Sequence, residues 1–120
     1  MSRILIVEDN TLDRALLLAV LEPEGFEILA AESGPQGVEV AQRKRPDLIL
    51  IDMMLPGLNA YETTHRLKAH WATRNIPIIA ITANTAPAER ERALDAGCDG
   101  YLAKPIDLRA LPQLVRLFLG

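Results

Sequence analysis

Three acidic side chains directly follow short apolar segments of the kind that form buried strands. Glu8 and Asp9 come after Ile4–Val7, and Asp52 comes after Leu48–Ile51. If these segments are neighbouring parallel strands, the carboxylates meet at one sheet edge, where like charges about 4 Å apart repel by roughly 4 kcal/mol at an effective dielectric of about 20. A divalent cation removes that repulsion, and Mg²⁺ prefers a few carboxylates together with waters and phosphate oxygens. The pattern therefore predicts a Mg²⁺ site formed by these three residues.

A hydroxyl and an ammonium group follow two further apolar segments. Thr82 comes after Ile76–Ile81, and Lys104 comes after Tyr101–Ala103. A cation and a hydroxyl that face a metal-bound carboxylate can stabilise the charge on a transferring phosphoryl group. Carboxylates form acyl phosphates, so Asp52 is the natural nucleophile of such a site. Taken singly, each residue also fits a helix cap, a turn or a solvated surface position, and only the shared sheet edge favours phosphoryl chemistry.

The apolar segments that position these side chains predict a parallel sheet. Two of them are continuously apolar rather than alternating, which is typical of strands covered by helices on both faces. The predicted strands are Ile4–Val7, Phe26–Ala31, Leu48–Ile51, Ile76–Ile81 and Tyr101–Ala103.

Helical patterns fill the intervals between the predicted strands. Ser33 is a candidate cap for the second helix, and Pro112 predicts that the last helix has a short first turn or begins near Ala110. The predicted helices are Thr11–Leu21, a second one after Ser33, Asn59–His70, Ala88–Ala96 and Leu108–Leu119. This alternation predicts a doubly wound (βα)5, flavodoxin-like α/β domain over residues 1–120. Its five-stranded parallel sheet has the order 2-1-3-4-5, with helices on both faces.

Length, charge and composition narrow the class of protein. The 120 residues suit one domain, and a net charge of −3 argues against nucleic-acid binding as the main task. The only basic run, Arg43–Arg45, falls where a helix is expected to end and where cations suit the helix dipole. The single cysteine excludes an internal disulfide and fits a cytoplasmic protein. The chain has no apolar run that could insert in a membrane, and its first residues leave no space for a signal peptide.

Four stretches of the sequence carry a resemblance to a known family. They read ILIVEDN, PDLILIDMMLPG, IPIIAITA and AGCDGYLAKPID, at Ile4–Asn10, Pro46–Gly57, Ile76–Ala83 and Ala96–Asp107. Over nearly its full length the chain resembles the CheY-like response-regulator receiver domains of two-component signalling. The resemblance implies a switch that takes a phosphoryl group from a histidine kinase or a histidine phosphotransfer protein and signals through protein contacts. It does not imply an enzyme that acts on separate substrates.

The resemblance also implies roles for individual residues. Asp52 matches the phosphoacceptor, while Glu8 and Asp9 match the acidic pair that holds Mg²⁺, with the backbone carbonyl of Met54 as a further ligand. A downstream protein is expected to bind the face formed by the fourth helix, fifth strand and fifth helix.

A second group of matched residues concerns the response to phosphorylation. Thr82 matches the hydroxyl that moves onto the phosphoryl group, and Lys104 matches the lysine that pairs with that group. Tyr101 matches the aromatic residue that turns inward when Thr82 moves. The Lys104–Pro105 bond is similar to one that is cis in the family.

Two positions depart from the family pattern. Asn59-Ala60 stands where Asp-Gly is common, although Asn still caps a helix well. Trp71 stands where the family often has an Asp-Pro-like turn. We expect the Trp71 indole to cover apolar surface at the helix end, because large aromatic rings usually find cover. The alternative is that Trp71 anchors a partner protein.

Other functions stay open at this point. A hydrolase of the aspartyl-phosphate kind usually has a second Asp two residues after its nucleophile, but this chain has Met54, which cannot transfer protons. A dinucleotide-binding unit needs a glycine fingerprint, which Glu8–Thr11 lacks. An interaction module that no longer takes phosphate would not need all the polar residues that are present. A complete chain would act as a stand-alone receiver, whereas one excised from a larger regulator or hybrid kinase would have lost its output domain.

Overall fold

The computed structural model describes residues 2–55 and 59–120 as five strands alternating with helices. The strands are β1 (Arg3–Val7), β2 (Glu27–Ala31), β3 (Leu48–Asp52), β4 (Ile78–Thr82) and β5 (Gly100–Ala103). The α-helices are α1 (Thr11–Leu21), α2 (Gly34–Lys44), α3 (Ala60–Ala69), α4 (Pro87–Ala96) and α5 (Leu111–Leu119), and a 3₁₀ turn, Glu22–Glu24, follows α1. Pro56 and Gly57, which belong to one of the four family-like stretches, lie outside the described residues.

The five strands form one sheet in the order β2-β1-β3-β4-β5, and each adjacent pair is parallel, which confirms the predicted topology. Val7 pairs with Ile51, so the residues that follow β1 and those that end β3 emerge side by side. Asp52 in turn lies opposite Ile81, next to the end of β4. The register therefore carries the polar residues at the strand ends to one edge of the sheet.

Two hydrophobic layers cover the sheet, one on each face. Successive strand residues point to opposite faces, so Leu5 and Val7 pack toward α2, α3 and α4, whereas Ile4 and Ile6 pack toward α1 and α5. All four side chains are fully buried. Burying one such side chain contributes roughly 1.5–3 kcal/mol, so the continuous apolar strands stabilise both layers at once.

Local hydrogen bonds and one proline define where three of the helices begin. Ser33 caps α2 by accepting from the backbone N–H of Gln36 at 3.3 Å, as the sequence predicts. The Asn59 side chain caps α3 by accepting from the Glu62 N–H at 2.8 Å. Helix α5 begins at Leu111 with Pro112 in its first turn, where a proline costs no hydrogen bond, and this confirms the later of the two predicted starts.

Strand β4 is shorter than predicted because its first apolar residues belong to a turn. The Ile76 N–H donates to the Thr73 carbonyl at 3.0 Å, although the Ile76 side chain is buried. Pro77 has no N–H to donate, and the strand begins at Ile78. Apolar character alone therefore placed the start of this strand two residues too early.

Trp71 does not cover apolar surface, so that expectation is wrong. The side chain is 66% exposed and stacks on His70, with 5.6 Å between the ring centroids. The Arg45 guanidinium lies 4.8 Å from the centroid of the Trp71 ring. Arg45 ends α2 in the left-handed conformation, and His70 leaves α3 in an extended conformation. The indole therefore contacts Arg45 at the end of α2 and His70 at the end of α3 instead of apolar surface.

No helix within residues 2–55 and 59–120 has the length and apolar character needed to cross a membrane.

Candidate functional site

The three carboxylates predicted to bind a metal lie together at the carboxyl edge of the sheet. One oxygen each from Glu8, Asp9 and Asp52 lies within 4.8 Å of the other two. Glu8 and Asp52 are buried, whereas Asp9 is exposed and leaves an open side toward solvent. A compact set of oxygen donors with an open side fits Mg²⁺, which binds a few carboxylates and keeps several waters.

Lys104 is the cation of this site. Its Nζ lies 3.2 Å from Asp13 Oδ2, 3.3 Å from Asp52 Oδ2 and 3.4 Å from Glu8 Oε1. The Lys104 backbone N–H donates to the Thr82 carbonyl at 2.8 Å, so the residue leaves β5 directly beside the end of β4. The Lys104–Pro105 peptide bond is cis, as the family resemblance implies.

Burial and the charges of the cluster shift the pKa values of Glu8 and Lys104. Burial, followed by hydrogen bonding and charge repulsion from Asp52, raises the pKa of Glu8 to about 8. Burial alone would lower the pKa of Lys104, but its hydrogen bond to Asp13 and the charges of Asp52 and Glu8 outweigh burial and raise it above the usual value. Around neutral pH the lysine is therefore charged, while much of Glu8 holds a proton until a cation is present.

Backbone groups orient Asp52. Its Oδ1 accepts a hydrogen bond from the Met54 N–H at 2.9 Å, which leaves Oδ2 to face Lys104. The Met53 N–H donates to the Ile81 carbonyl at 2.8 Å and ties the segment after β3 to β4. The carboxylate is thus held in one orientation with one oxygen beside a cation.

Thr82 and Tyr101 are linked through a single residue, Asn84. The Asn84 N–H donates to Thr82 Oγ1 at 3.0 Å, and the Tyr101 hydroxyl donates to the Asn84 carbonyl at 2.6 Å. Thr82 is buried, whereas Tyr101 is half-buried on the edge strand β5. A change at the Thr82 hydroxyl can therefore reach Tyr101 through the backbone of one residue, Asn84.

Side-chain contacts also join α4 to α3. The Tyr61 hydroxyl of α3 donates a hydrogen bond to the Glu89 carboxylate in the first turn of α4. The Arg92 guanidinium lies 3.9 Å from the centroid of the Tyr61 ring. Burial, followed by the hydrogen bond to Glu89, raises the pKa of Tyr61 to about 12, so this hydroxyl stays a donor at neutral pH.

Two residues at the carboxyl edge, Asp13 and Asn84, were not identified from the sequence, and neither was the contact between Tyr61 and Glu89. Asp13 lies in the first turn of α1, which begins directly after the residues at this sheet edge, so its carboxylate could have been expected close to them. Asn84 acts mainly through its backbone, for which residue type carries no signal. The residues that were named from the sequence as following or ending strands lie at the carboxyl edge of the sheet: Glu8, Asp9, Asp52, Thr82 and Lys104.

Comparisons with known proteins agree with this geometry. The polar-differentiation response regulator DivK of Brucella anthropi is 36% identical over 117 residues, which cover 98% of this chain and 95% of DivK. The receiver domain of the sensor histidine kinase PA1611 from Pseudomonas aeruginosa PAO1 is 38% identical with a TM-score of 0.93, and the match covers 99% of this chain and 98% of that domain. Its crystal structure has a magnesium ion coordinated in the active site cleft.

A more distant structure shares the fold. The chemotaxis response regulator CheY4 of Vibrio cholerae is 24% identical and has a TM-score of 0.92. The match covers 98% of this chain and 98% of CheY4. The family model for the response regulator receiver domain matches residues 4–116. The chain therefore belongs to the response regulator receiver domain family of two-component signalling.

Proposed function

We propose that residues 1–120 act as one phosphorylation-activated signalling switch in which Asp52 accepts a phosphoryl group in the presence of Mg²⁺. The observation that carries this proposal is the position of Asp52, whose carboxylate belongs to the acidic cluster and whose Oδ2 lies 3.3 Å from Lys104 Nζ. The donor is a phosphohistidine on a histidine kinase or a histidine phosphotransfer protein. The single buried cysteine fits a reducing cytoplasm as the compartment.

The transfer step needs only groups that converge at this edge. A carboxylate oxygen of Asp52 attacks the phosphorus, the new O–P bond forms, and the P–N bond to the donor histidine breaks with its electron pair going to the imidazole. The Lys104 ammonium offsets charge on the phosphoryl oxygens, and the Thr82 hydroxyl donates a hydrogen bond to one of them. When bound by Glu8, Asp9, Asp52 and the Met54 carbonyl, Mg²⁺ supplies charge neutralisation between the carboxylates and the phosphoryl group.

The switch follows from the hydrogen bonds around Asn84. Thr82 Oγ1 accepts from the Asn84 N–H before phosphorylation, and turning toward a phosphoryl group on Asp52 breaks that bond. The Asn84 carbonyl is the acceptor for Tyr101, so the segment between β4 and α4 and the Tyr101 ring rearrange together. A downstream protein reads the change at the face formed by α4, β5 and α5.

The protein catalyses only the transfer of a phosphoryl group to itself and the slow loss of that group. Met54 occupies the position where a hydrolase of the aspartyl-phosphate kind carries its acid/base, and its side chain is 63% exposed and cannot move protons. We therefore expect no turnover of small phosphomonoesters.

Incubation with acetyl phosphate tests the proposal. With Mg²⁺ the protein should gain one acid-stable, base-labile phosphate, and without Mg²⁺ the gain should fall to background. Asp9→Asn should behave like the metal-free sample, because the mutation removes a metal ligand but keeps Asp52 and Lys104. Equal labelling with and without Mg²⁺, or normal labelling of Asp9→Asn, would contradict the assigned metal site. No labelling under any condition would contradict the phosphoacceptor function itself.

A further inference from the structure

A second surface lies where α2 and α3 end, at the opposite edge of the sheet from Asp52. We define the Trp71 surface as Lys44, Arg45, His70, Trp71 and Arg74. Trp71 is 66% exposed, although stacking with His70 and the nearby Arg45 guanidinium hold its ring in place. The Ala72 N–H donates to His70 Nδ1 at 3.0 Å, which orients the imidazole beside the indole. The surface is therefore an ordered, exposed aromatic platform rather than a loose side chain.

The charge of this surface is positive in a protein that is acidic overall. Among the described residues, Lys44, Arg45 and Arg74 have no carboxylate within ion-pair distance, while the neighbouring Arg43 and Arg66 are paired with Glu39 and Glu62 at 3.4 Å. The whole chain carries a net charge of −3. A local excess of cations on such a chain attracts an acidic partner and repels a basic one.

A groove adjoins the platform. It lies between α2 and α3, has a volume of about 330 Å³, and is lined by Val38, Gln42, Arg66, Ala69 and His70. His70 belongs both to the groove and to the Trp71 surface, so the two are continuous. The combination offers apolar contact, an aromatic platform and cations within one stretch of surface.

We propose that the Trp71 surface binds an acidic segment of a partner protein. Carboxylates of the segment pair with Lys44, Arg45 and Arg74, and an apolar or aromatic side chain packs on Trp71, a residue type that is enriched at interface hot spots. Three unpaired cations suit a short acidic peptide better than nucleic acid, whose binding proteins commonly make about 6–10 phosphate contacts. Because the surface lies before β4 and Asp52 lies at the far end of β3, this binding does not depend on phosphoryl transfer.

Selection from a random peptide display library on the purified protein tests the proposal without a known ligand. Selected peptides should be enriched in Asp and Glu together with an apolar or aromatic residue. The strongest binder, labelled with fluorescein, is then titrated by anisotropy, and the intrinsic fluorescence of Trp71, the only tryptophan in the chain, reports contact at the platform. Single-stranded oligonucleotides of poly(dT) and poly(U) serve as the nucleic-acid comparison.

Two variants locate the binding. Trp71→Ala should weaken the peptide at least about tenfold, as expected for an aromatic hot spot. Arg45→Asn should also weaken it, and Asn is chosen because Arg45 has a φ of 46°, a left-handed conformation that Asn tolerates. Arg109→Asn, which removes an exposed arginine near the start of α5, is the matched control and should bind normally. Thermal melting of each variant keeps folding separate from binding.

Several outcomes would overturn this assignment. Selection that yields no Trp71-dependent peptide, peptides without acidic enrichment, or binding unchanged in both Trp71→Ala and Arg45→Asn would each refute it. Binding of the oligonucleotides that depends on Trp71 and exceeds that of the acidic peptides would assign the surface to nucleic acid instead.

Discussion

The buried carboxylate of Glu8 makes the stability of the metal-free protein depend on pH. Glu8 is 2% exposed, and its pKa in the folded protein is about 8, against an ordinary value of 4.5. Between these two pH values the folded state holds a proton on Glu8 that the unfolded state releases. The contribution of Glu8 to folding is therefore fully present below pH 4.5 and is lost as the pH rises through about 8.

The size of the effect follows from the shift. One bound proton changes the free energy of unfolding by at most about 1.4 kcal/mol per pH unit. From about pH 6 to pH 8, metal-free protein should lose roughly 2–3 kcal/mol, a large share of the roughly 5–15 kcal/mol that stabilises a typical domain. Saturating Mg²⁺ holds Glu8 ionised in the folded state, so it should flatten the dependence and stabilise the protein most at the alkaline end.

Urea unfolding at several pH values, with and without Mg²⁺, measures this dependence. Glu8→Gln is the matched variant, because the amide has the same shape but cannot titrate. It should be nearly insensitive to pH over this range and should gain little stability from Mg²⁺. If Glu8→Gln kept the full pH dependence of the unaltered protein, the proton would belong to another group and the reasoning would fail.

Three further predictions concern the residues around the site. Asp52→Asn should take no phosphate and, without Mg²⁺, should be at least as stable as the parent in thermal melts, because it removes one clustered charge; clear destabilisation would contradict this. Asp13→Asn should speed labelling by acetyl phosphate several-fold, because it frees Lys104, and partial exposure of Asp13 limits the gain to about 1 kcal/mol; slower labelling would show that Asp13 helps transfer. Tyr61→Phe should lower stability by about 1 kcal/mol and raise amide exchange in the first turn of α4; unchanged exchange there would mean that the bond to Glu89 does not hold α4.

The sheet and the main site were predictable because strand burial and strand ends leave a clear pattern. Segments such as Leu48–Ile51 are apolar on both faces, which indicates a parallel sheet, and parallel topology carries Asp52 to the same edge as Glu8. Thr82 and Lys104 follow by the same reasoning from the next two strands. Side-chain chemistry identified the candidate residues, and the strand ends gave their position.

What could not be predicted depends on contacts between elements. Asp13 reaches Lys104 only because the first turn of α1 and the residue after β5 face each other at the carboxyl edge of the sheet, and Tyr61 reaches Glu89 only because α3 and α4 are neighbours. The contact of Trp71 with Arg45 joins the end of α2, where Arg45 has a left-handed backbone, to a ring that is distant in sequence. The secondary-structure propensities of local sequence give no information about such side-chain contacts, because the contacts depend on how the helices lie on the sheet.

The most direct test of Asp52 as the phosphoacceptor is to locate the phosphoryl group chemically. Protein labelled with acetyl phosphate and Mg²⁺ is treated with borohydride, which reduces an acyl phosphate to an alcohol, and the modified residue is then identified by peptide mass spectrometry. We expect reduction at Asp52 alone, with none in samples prepared without Mg²⁺ and none in Asp52→Asn. Reduction at Glu8, Asp9 or Asp13, or labelling that persists in Asp52→Asn, would contradict this assignment.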